Sequence, residues 1–211
     1  MTQSEAQSQK FVIAGGGIAG LTAALTLAQA GYSVDVLERS EALSEVGAGL
    51  QISPNAAHVL DRIGVLDRIH KLAVAPEGIR ISSGVTGRPL ANFELGEAIA
   101  KRFGAPYLVI HRADLQKALL DQVEATPSIR LSLGCTDIEL DQSNGDHVSV
   151  SYRSGGNALS IRAMAMVGAD GVWSNLRQTV PGHAEARFTG KTAYRTTVPT
   201  GGLDWRFMYG T

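Results

Sequence analysis

Three glycines near the start of the chain have the spacing of a phosphate-binding loop. Gly15, Gly17 and Gly20 form the pattern Gly-x-Gly-x-x-Gly. In such a loop the first glycine permits a tight turn, the second lets backbone amides approach a pyrophosphate, and the third lets a helix pack closely on a strand. The helix opened by Ile18 and Ala19 would offer free N–H groups and partial positive charge to the anion. The spacing therefore predicts a loop that binds the pyrophosphate of a dinucleotide.

An acidic residue stands where the ribose of that dinucleotide would lie. Glu38 follows Gly20 by 18 residues, and a carboxylate at the end of the next strand can accept hydrogen bonds from ribose hydroxyls. The same negative charge would repel a 2′-phosphate. The loop is therefore expected to bind FAD or NAD rather than NADP.

The residues around the glycines predict the elements that would position them. Residues 11–14 are a short apolar run, as expected of a buried parallel strand. Apolar residues then recur three and four positions apart over residues 18–28, which predicts a helix. Gly31 is placed to end that helix, and residues 34–37 predict a second strand. Together these segments predict a βαβ unit over residues 11–38.

The rest of the chain departs from the regular βα repeats of a nicotinamide dehydrogenase, and this departure favours FAD over NAD. After Glu38 we expect an irregular glycine-bearing stretch over 45–51, then a helix over 54–63 that breaks at Gly64 and resumes over 65–71. Short strands and loops over 76–110 and a helix opening at His111 are expected next, followed by an antiparallel meander over 129–163 with turns at Asn144-Gly145 and Gly155-Gly156. The last expected elements are a buried strand over 165–168, a short helix near 174–178, and strands over 193–198 and 205–209.

Several motifs together resemble those of the class A flavoprotein aromatic hydroxylases, most closely the salicylate hydroxylase and 3-hydroxybenzoate hydroxylase group. The matching segments are Gly15 to Gly20, Glu38-Arg39, Gly47 to Ala56, His111 to Leu115, and Gly168 to Ser174. The resemblance begins at Lys10 and covers nearly the whole chain.

The resemblance implies an α/β fold: a glutathione-reductase-like, Rossmann-type FAD-binding domain with an antiparallel β-meander, and the start of a mixed-sheet substrate domain. The expected boundaries are a disordered tail over 1–9, the FAD-binding domain over 10–75 and 105–180, and a partial substrate domain over 76–104 and 181–211. The family's downstream Gly-Asp motif does not occur after Asp170-Gly171. We therefore expect the chain to be an N-terminal fragment.

The same resemblance implies roles for further residues. Arg39 would lie near the adenosine, and Gly49 along the isoalloxazine. Arg112 would contact the phosphate and ribityl region, unless it is a surface arginine at a helix start. Asp170-Gly171 would support FAD and the transient nicotinamide cofactor, although Asp170 also suits a helix cap. Tyr194-Arg195 would lie on the substrate side, or be an ordinary pair of strand residues.

The implied activity is an FAD-dependent monooxygenase that uses NADH or NADPH and O₂ to hydroxylate a small aromatic acid in aromatic catabolism. No catalytic residue is assigned, because the flavin carries most of the chemistry in this family. Two alternatives stay open: an FAD-binding module without turnover, and a flavoprotein epoxidase acting on a non-aromatic substrate. The resemblance also allows a homodimer.

Composition excludes several other classes of protein. A formal net charge of -1 gives no reason to expect nucleic acid or an anionic membrane as a partner. The apolar run over 11–30 changes period and is broken by glycines, so we interpret it as strand, turn and helix rather than as a membrane span. The five histidines show no metal-ligand spacing. Cys135 is the single cysteine, which favours a reducing, cytoplasmic location and a small buried side chain.

Overall fold

A computed structural model describes residues 9–43, 48–141, 147–183 and 186–193. In chain order its elements are β1 (Lys10–Ala14), α1 (Ile18–Gln29), β2 (Ser33–Leu37), β3 (Gly49–Ile52), α2 (Pro54–Arg62), α3 (Leu66–His70), β4 (Gly78–Ser82), β5 (Pro89–Glu94), α4 (Gly96–Phe103), β6 (Leu108–His111), α5 (Arg112–Glu124), β7 (Ile129–Ser132), β8 (Thr136–Asp141), β9 (Val148–Ser154), β10 (Asn157–Ala163), β11 (Ala165–Gly168) and a 3₁₀ turn (Leu176–Thr179).

The predicted βαβ unit is confirmed and lies at the centre of a parallel sheet. The sheet has the strand order β11-β1-β2-β7, and each pair of neighbours is parallel. Val12 of β1 pairs with Asp35 of β2, which in turn pairs with Arg130 of β7. All four strands are parallel, so their carboxyl ends meet at one edge, where α/β sheets bind ligands.

The structure corrects the prediction that residues 129–135 belong to the antiparallel meander. Residues 129–132 form β7, which joins the parallel sheet beside β2. The reason is the helix before it. α5 lies between β6 and β7 and packs against α1 on one face of the parallel sheet. It therefore carries the chain back to the end of the sheet from which β2 starts, so that β7 runs parallel to β2.

The meander itself is confirmed over three strands in the order β10-β9-β8. The hairpin between β9 and β10 turns at Gly155-Gly156, as predicted, whereas Asn144-Gly145 lies outside the described residues. The meander packs on one face of the parallel sheet. The buried side chains of that contact are Val12, Leu37, Cys135, Val150, Tyr152 and Ala163.

Helices cover the other face of the sheet. α1 and α5 pack together, and α2 and α3 extend the same core, with the predicted break between them at Gly64. This core is the larger one and is built from leucine, isoleucine and valine side chains. Among its fully buried members are Leu21, Ile63, Ile69, Leu119 and Val123.

Two further corrections concern residues 45–110. Residues 49–51, predicted as part of the irregular stretch, belong to β3, which pairs antiparallel with β6. Gly96–Phe103, predicted within strands and loops, forms α4. Ile99 and Phe103 lie four positions apart in this eight-residue helix, but so short an apolar spacing fits a strand as well as a helix. None of the described helices has the length and apolar character needed to cross a membrane.

Candidate functional site

The carboxyl ends of β1, β2 and β11 open onto a cleft of about 590 Å³. Backbone and side chains from the first glycine loop, from the end of β2, from β8 and from the loop after β11 form its walls. The lining residues are Ala14, Gly15, Gly17, Leu37, Glu38, Arg39, Cys135, Thr136, Asp137, Ile138, Glu139, Ala169, Asp170, Gly171, Trp173, Asn175 and Leu176.

Two glycines of the loop are required by the protein's own packing. Gly15 has a φ of +107°, and a Cβ there would overlap the carbonyl oxygen of Ala169. A Cβ on Gly20 would overlap the carbonyl oxygen of Gly15. These contacts join the start of α1 to the ends of β1 and β11. Gly15 and Gly20 therefore fix the shape of the loop.

Gly17 has no such packing requirement. Apart from its chain neighbours, no atom of the residues that the structure describes would lie within 4 Å of a Cβ on Gly17. Gly17 is the N-cap of α1, no side chain caps this end, and the first turn carries no acidic residue. The first N–H groups of a helix have no partner within the helix, so Ile18 and Ala19 leave an anion-binding helix end beside open space. This space and these donors fit the pyrophosphate of a dinucleotide.

Glu38 lies beside the loop and is held by two backbone donors. The N–H of Gly16 donates to Oε2, and the N–H of Ser40 donates to Oε1 at 2.7 Å. Partial burial acts to raise the pKa of Glu38, but these hydrogen bonds and the charge of Arg39 outweigh it and lower the pKa overall. The carboxylate's contribution to stability is therefore present above the ordinary carboxyl pKa and is lost as pH falls through the lowered value. Each oxygen keeps acceptor capacity for a further donor.

Asp170 and Gly171 lie on the opposite wall of the cleft from Glu38, after β11. The Oδ2 atom of Asp170 accepts a hydrogen bond from the N–H of Leu176 at 3.5 Å. The carbonyl oxygen of Gly171 accepts one from Nη2 of Arg177 at 3.3 Å. Asp170 thus helps to order the 3₁₀ turn and lines the cleft as well, so both of its expected roles are compatible with its position.

Gly49 and Arg112 lie close to each other at the ladder between β3 and β6. Gly49 pairs with His111 in the ladder between β3 and β6, and the N–H of Arg112 donates to the carbonyl of Ala48 at 3.3 Å. Neither Gly49 nor Arg112 is among the described residues that line the cleft. Tyr194 and Arg195 lie outside the described residues.

The sequence alone missed residues 135–139, Trp173 and Asn175, which also line the cleft. The N–H of Cys135 donates to the carbonyl oxygen of Glu38 at 2.8 Å, and burial raises the pKa of its thiol. Recognising β7 as a parallel strand would have identified this wall, because the chain that follows β7 must emerge beside Glu38. Trp173 is 84% exposed and follows the predicted Asp170-Gly171 motif by two positions.

The family model described as FAD binding domain matches residues 9–198. The 3-hydroxybenzoate 6-hydroxylase of Polaromonas naphthalenivorans (strain CJ2) is 38% identical over 187 residues, which are 89% of this chain and 46% of the relative. The 6-hydroxynicotinate 3-monooxygenase of Pseudomonas fluorescens is 32% identical over 196 residues, covering 92% of this chain and 49% of the relative. This chain thus spans about half the length of the curated relatives it matches.

Solved structures with the same architecture include a monooxygenase and a complex with FAD. The p-nitrophenol 4-monooxygenase PnpA from Pseudomonas putida DLL-E4 superposes with a TM-score of 0.71 at 27% identity, over 79% of this chain and 42% of that one. A variant of Klebsiella pneumoniae HpxO complexed with FAD superposes with a TM-score of 0.67 at 25% identity, over 83% of this chain and 43% of that one.

Proposed function

This chain belongs to the FAD binding domain family, within the class A flavoprotein aromatic hydroxylases, and we propose that it is the FAD-holding half of a monooxygenase that hydroxylates a small aromatic acid. The observation that carries the proposal is the open space above Gly17 at the uncapped start of α1. That space lies in the same cleft as Glu38, so the glycine loop can hold a pyrophosphate while Glu38 holds the adjoining ribose.

We assign the cofactor contacts from this geometry and from the family resemblance. The N-terminal N–H groups of α1 bind the pyrophosphate, and Glu38 accepts hydrogen bonds from the adenosine ribose. Arg39 lies at the adenosine end. Asp170 and Gly171 bind from the opposite wall. Gly49 and Arg112 adjoin each other at the β3–β6 ladder, where we place the isoalloxazine and ribityl end of FAD.

When bound, FAD supplies the activation of O₂ and the transfer of one oxygen atom to the aromatic ring. The residues of this chain bind and orient the cofactor. NADH or NADPH serves as the transient reductant in this proposal. We assign two segments, residues 76–104 and 181–211, to a partial substrate domain. The hairpin of β4 and β5 supports this division because it forms its own two-stranded sheet.

Binding of FAD is expected to depend on the open space at Gly17. Gly17→Val should fold with little loss of stability, because apart from the chain neighbours no atom of the described residues lies within 4 Å of a Cβ there, but it should raise the Kd for FAD at least about tenfold by occupying the pyrophosphate space. Titration with FAD, followed by flavin fluorescence and the visible spectrum, measures the effect. Gly84→Val is the matched control, because a Cβ there is likewise more than 4 Å from every described residue except its chain neighbours. Equal FAD affinity of the two variants would refute the assignment.

Turnover is tested by NADH and NADPH oxidation and O₂ consumption in the presence of 3-hydroxybenzoate, salicylate and 6-hydroxynicotinate. Stimulation by one of these aromatic acids in the full-length protein supports the hydroxylase. FAD binding without any stimulation supports the binding module instead, and stimulation only by a non-aromatic alkene supports the epoxidase.

Glu38→Gln is expected to weaken FAD binding by roughly tenfold to a hundredfold. The substitution removes the charge from the acceptor of the ribose hydroxyls, and a hydrogen bond to a charged group contributes about 1.5–3 kcal/mol. Glutamine also replaces one of the two acceptor oxygens by an NH₂ group, which would then face the backbone N–H of either Gly16 or Ser40. Glu41→Gln, three residues along the chain on an exposed side chain, is the control. An unchanged Kd in Glu38→Gln would remove Glu38 from the site.

A further inference from the structure

α4 is bounded by two glycines in the left-handed conformation. Gly96, its first residue, has a φ of +55°, and Gly104, its C-cap, has a φ of +70°. Glycine adopts positive and negative φ values with similar ease, so changes of backbone conformation cost little at these two positions. Hinges are commonly a few residues at the ends of an element that absorb such changes. The two glycines therefore mark the ends of a helix that can move as a unit.

Few contacts hold α4 in place. None of its side chains is buried, and its main neighbour among the described elements is α2. The ion pair of Glu97 with Lys101 and the contact of Arg102 with the ring of Phe103 both lie within the helix. Regions with few buried apolar contacts open at a lower free energy than the core does. We therefore expect α4 to open while the rest of the chain stays folded.

A hydrogen bond joins the end of α4 to α2. The Nε2 atom of His58 lies 2.8 Å from the carbonyl oxygen of Phe103, and because a carbonyl only accepts, the imidazole donates. This carbonyl is one of the last four of the helix, which have no partner within it. The ring of His58 also adjoins Gly104, since a Cβ there would be 3.7 Å from the Cε1 atom. Within the described part of the chain, the other hydrogen bond that leaves α4 runs from the N–H of Gly96 to the carbonyl of Pro76, at the opposite hinge.

We propose that α4 is a hinged helix, which turns about Gly96 and Gly104 and is latched onto α2 by the hydrogen bond from His58 to Phe103. One exposed hydrogen bond shifts an equilibrium only about threefold to tenfold. The latch therefore opens often in the folded protein, and the closed state predominates.

The latch controls the position of the hairpin formed by β4 and β5. The chain on both sides of the hairpin and α4 joins β6, because Val74 pairs with Val109 and the residues after Gly104 lead into β6. β6 in turn pairs with β3 at the ladder where we place the flavin end of FAD. Opening of α4 frees the hairpin to move relative to this ladder and so regulates the entry and exit of the flavin. This last consequence rests on the proposed function, whereas the opening of α4 does not.

Amide hydrogen exchange in the chain without FAD tests the latch. His58→Leu should speed exchange at the hydrogen-bonded amides of α4, residues 100–104, about threefold to tenfold. His58→Gln keeps an N–H donor of similar reach and should stay within about twofold of the unmodified protein. His70→Leu, which changes an exposed histidine of α3, is the matched control. If exchange in α4 is the same in His58→Leu as in His70→Leu, the latch is refuted.

Urea separates the opening of α4 from global unfolding. Below the unfolding transition, exchange at residues 100–104 should depend little on urea, because local opening exposes little surface. The amide of Leu25, which is buried in the core on α1, should instead follow global unfolding. An equal dependence on urea at both places would mean that α4 opens only with the whole chain, and would overturn the inference.

The kinetics of FAD binding test the consequence for the site. If the flavin enters and leaves only while α4 is open, His58→Leu should raise the association and dissociation rates together by about threefold to tenfold, because binding that requires a conformational change is slowed by it. The Kd should change by less than about twofold. Unchanged rates would overturn the regulation of entry, while absence of FAD binding would overturn the proposed function and leave the exchange result standing.

Discussion

Gly20→Ala is expected to destabilise the protein by about 2–3 kcal/mol and to abolish FAD binding. The added Cβ would overlap the carbonyl oxygen of Gly15 and lie 3.4 Å from Cγ2 of Ile13. The first of these neighbours is backbone, so α1 must move away from β1 to relieve the overlap. Overpacking of a tight site costs about 1–3 kcal/mol, and the upper end of this range applies because the clashing atom is backbone; alanine recovers at most about 1 kcal/mol through its helix propensity. The midpoint of urea denaturation measures the loss.

Gly84→Ala is the control for that experiment. Within the described part of the chain, a Cβ on Gly84 would meet no atom within 4 Å beyond its chain neighbours, so the stability of this variant should differ from that of the unmodified protein by less than about 0.5 kcal/mol, as for most surface substitutions. If Gly20→Ala unfolds at the same urea concentration as the unmodified protein, the close approach of α1 to the glycine loop is wrong.

The glycines of one motif therefore have separable functions. Gly20→Ala is expected to lose stability and binding together, whereas Gly17→Val is expected to lose binding alone. The sequence motif predicts three glycines with three purposes, but it does not state which of them the protein needs without a ligand. The contacts of a Cβ at each position supply that distinction.

The βαβ unit could be predicted from sequence because its signals are local. A short apolar strand, a glycine turn and a helical repeat lie within 28 residues, and Glu38 follows at a fixed distance. Asp170 was indicated only by the family resemblance, and the structure explains why it lines the same cleft as Glu38: both residues follow strands of the same parallel sheet.

The wall formed by residues 135–139 could not be predicted in the same way. Its position depends on the pairing of β7 with β2, between residues such as Asp35 and Arg130 that are 95 positions apart. Residues 129–132 alternate in a manner that suits either a parallel or an antiparallel strand. Only the helix before β7, which carries the chain back across the sheet, decides between them.

A cluster of three charged residues, which the sequence did not indicate, connects β1, β2 and β7. Asp35 on β2 is 3% exposed. Its Oδ2 atom accepts a hydrogen bond from Nζ of Lys10 at 2.8 Å, and its Oδ1 atom accepts one from Nε of Arg130 at 2.8 Å. The two cations come from β1 and β7. The carboxylate of Asp35 thus links β1, β2 and β7.

Asp35→Ala is expected to destabilise the protein by about 3 kcal/mol. Removal of one member of a buried ion pair leaves its partner uncompensated, which costs about 3–5 kcal/mol when both charges are buried. Here the lower end applies, because the side chains of Lys10 and Arg130 are 24% and 62% exposed and can be partly hydrated. Urea denaturation measures the effect.

The exposed pair of Glu97 and Lys101 provides the matched control, because its N–O distance is also 2.8 Å. Glu97→Ala should cost less than about 1 kcal/mol, since both side chains remain in water in the folded protein. Arg130→Leu should cost less than Asp35→Ala, because Asp35 then keeps Lys10 as a partner. If the loss in Asp35→Ala were as small as that in Glu97→Ala, the cluster would not stabilise the sheet, and the apolar contacts on both of its faces alone would hold β1, β2 and β7 in register.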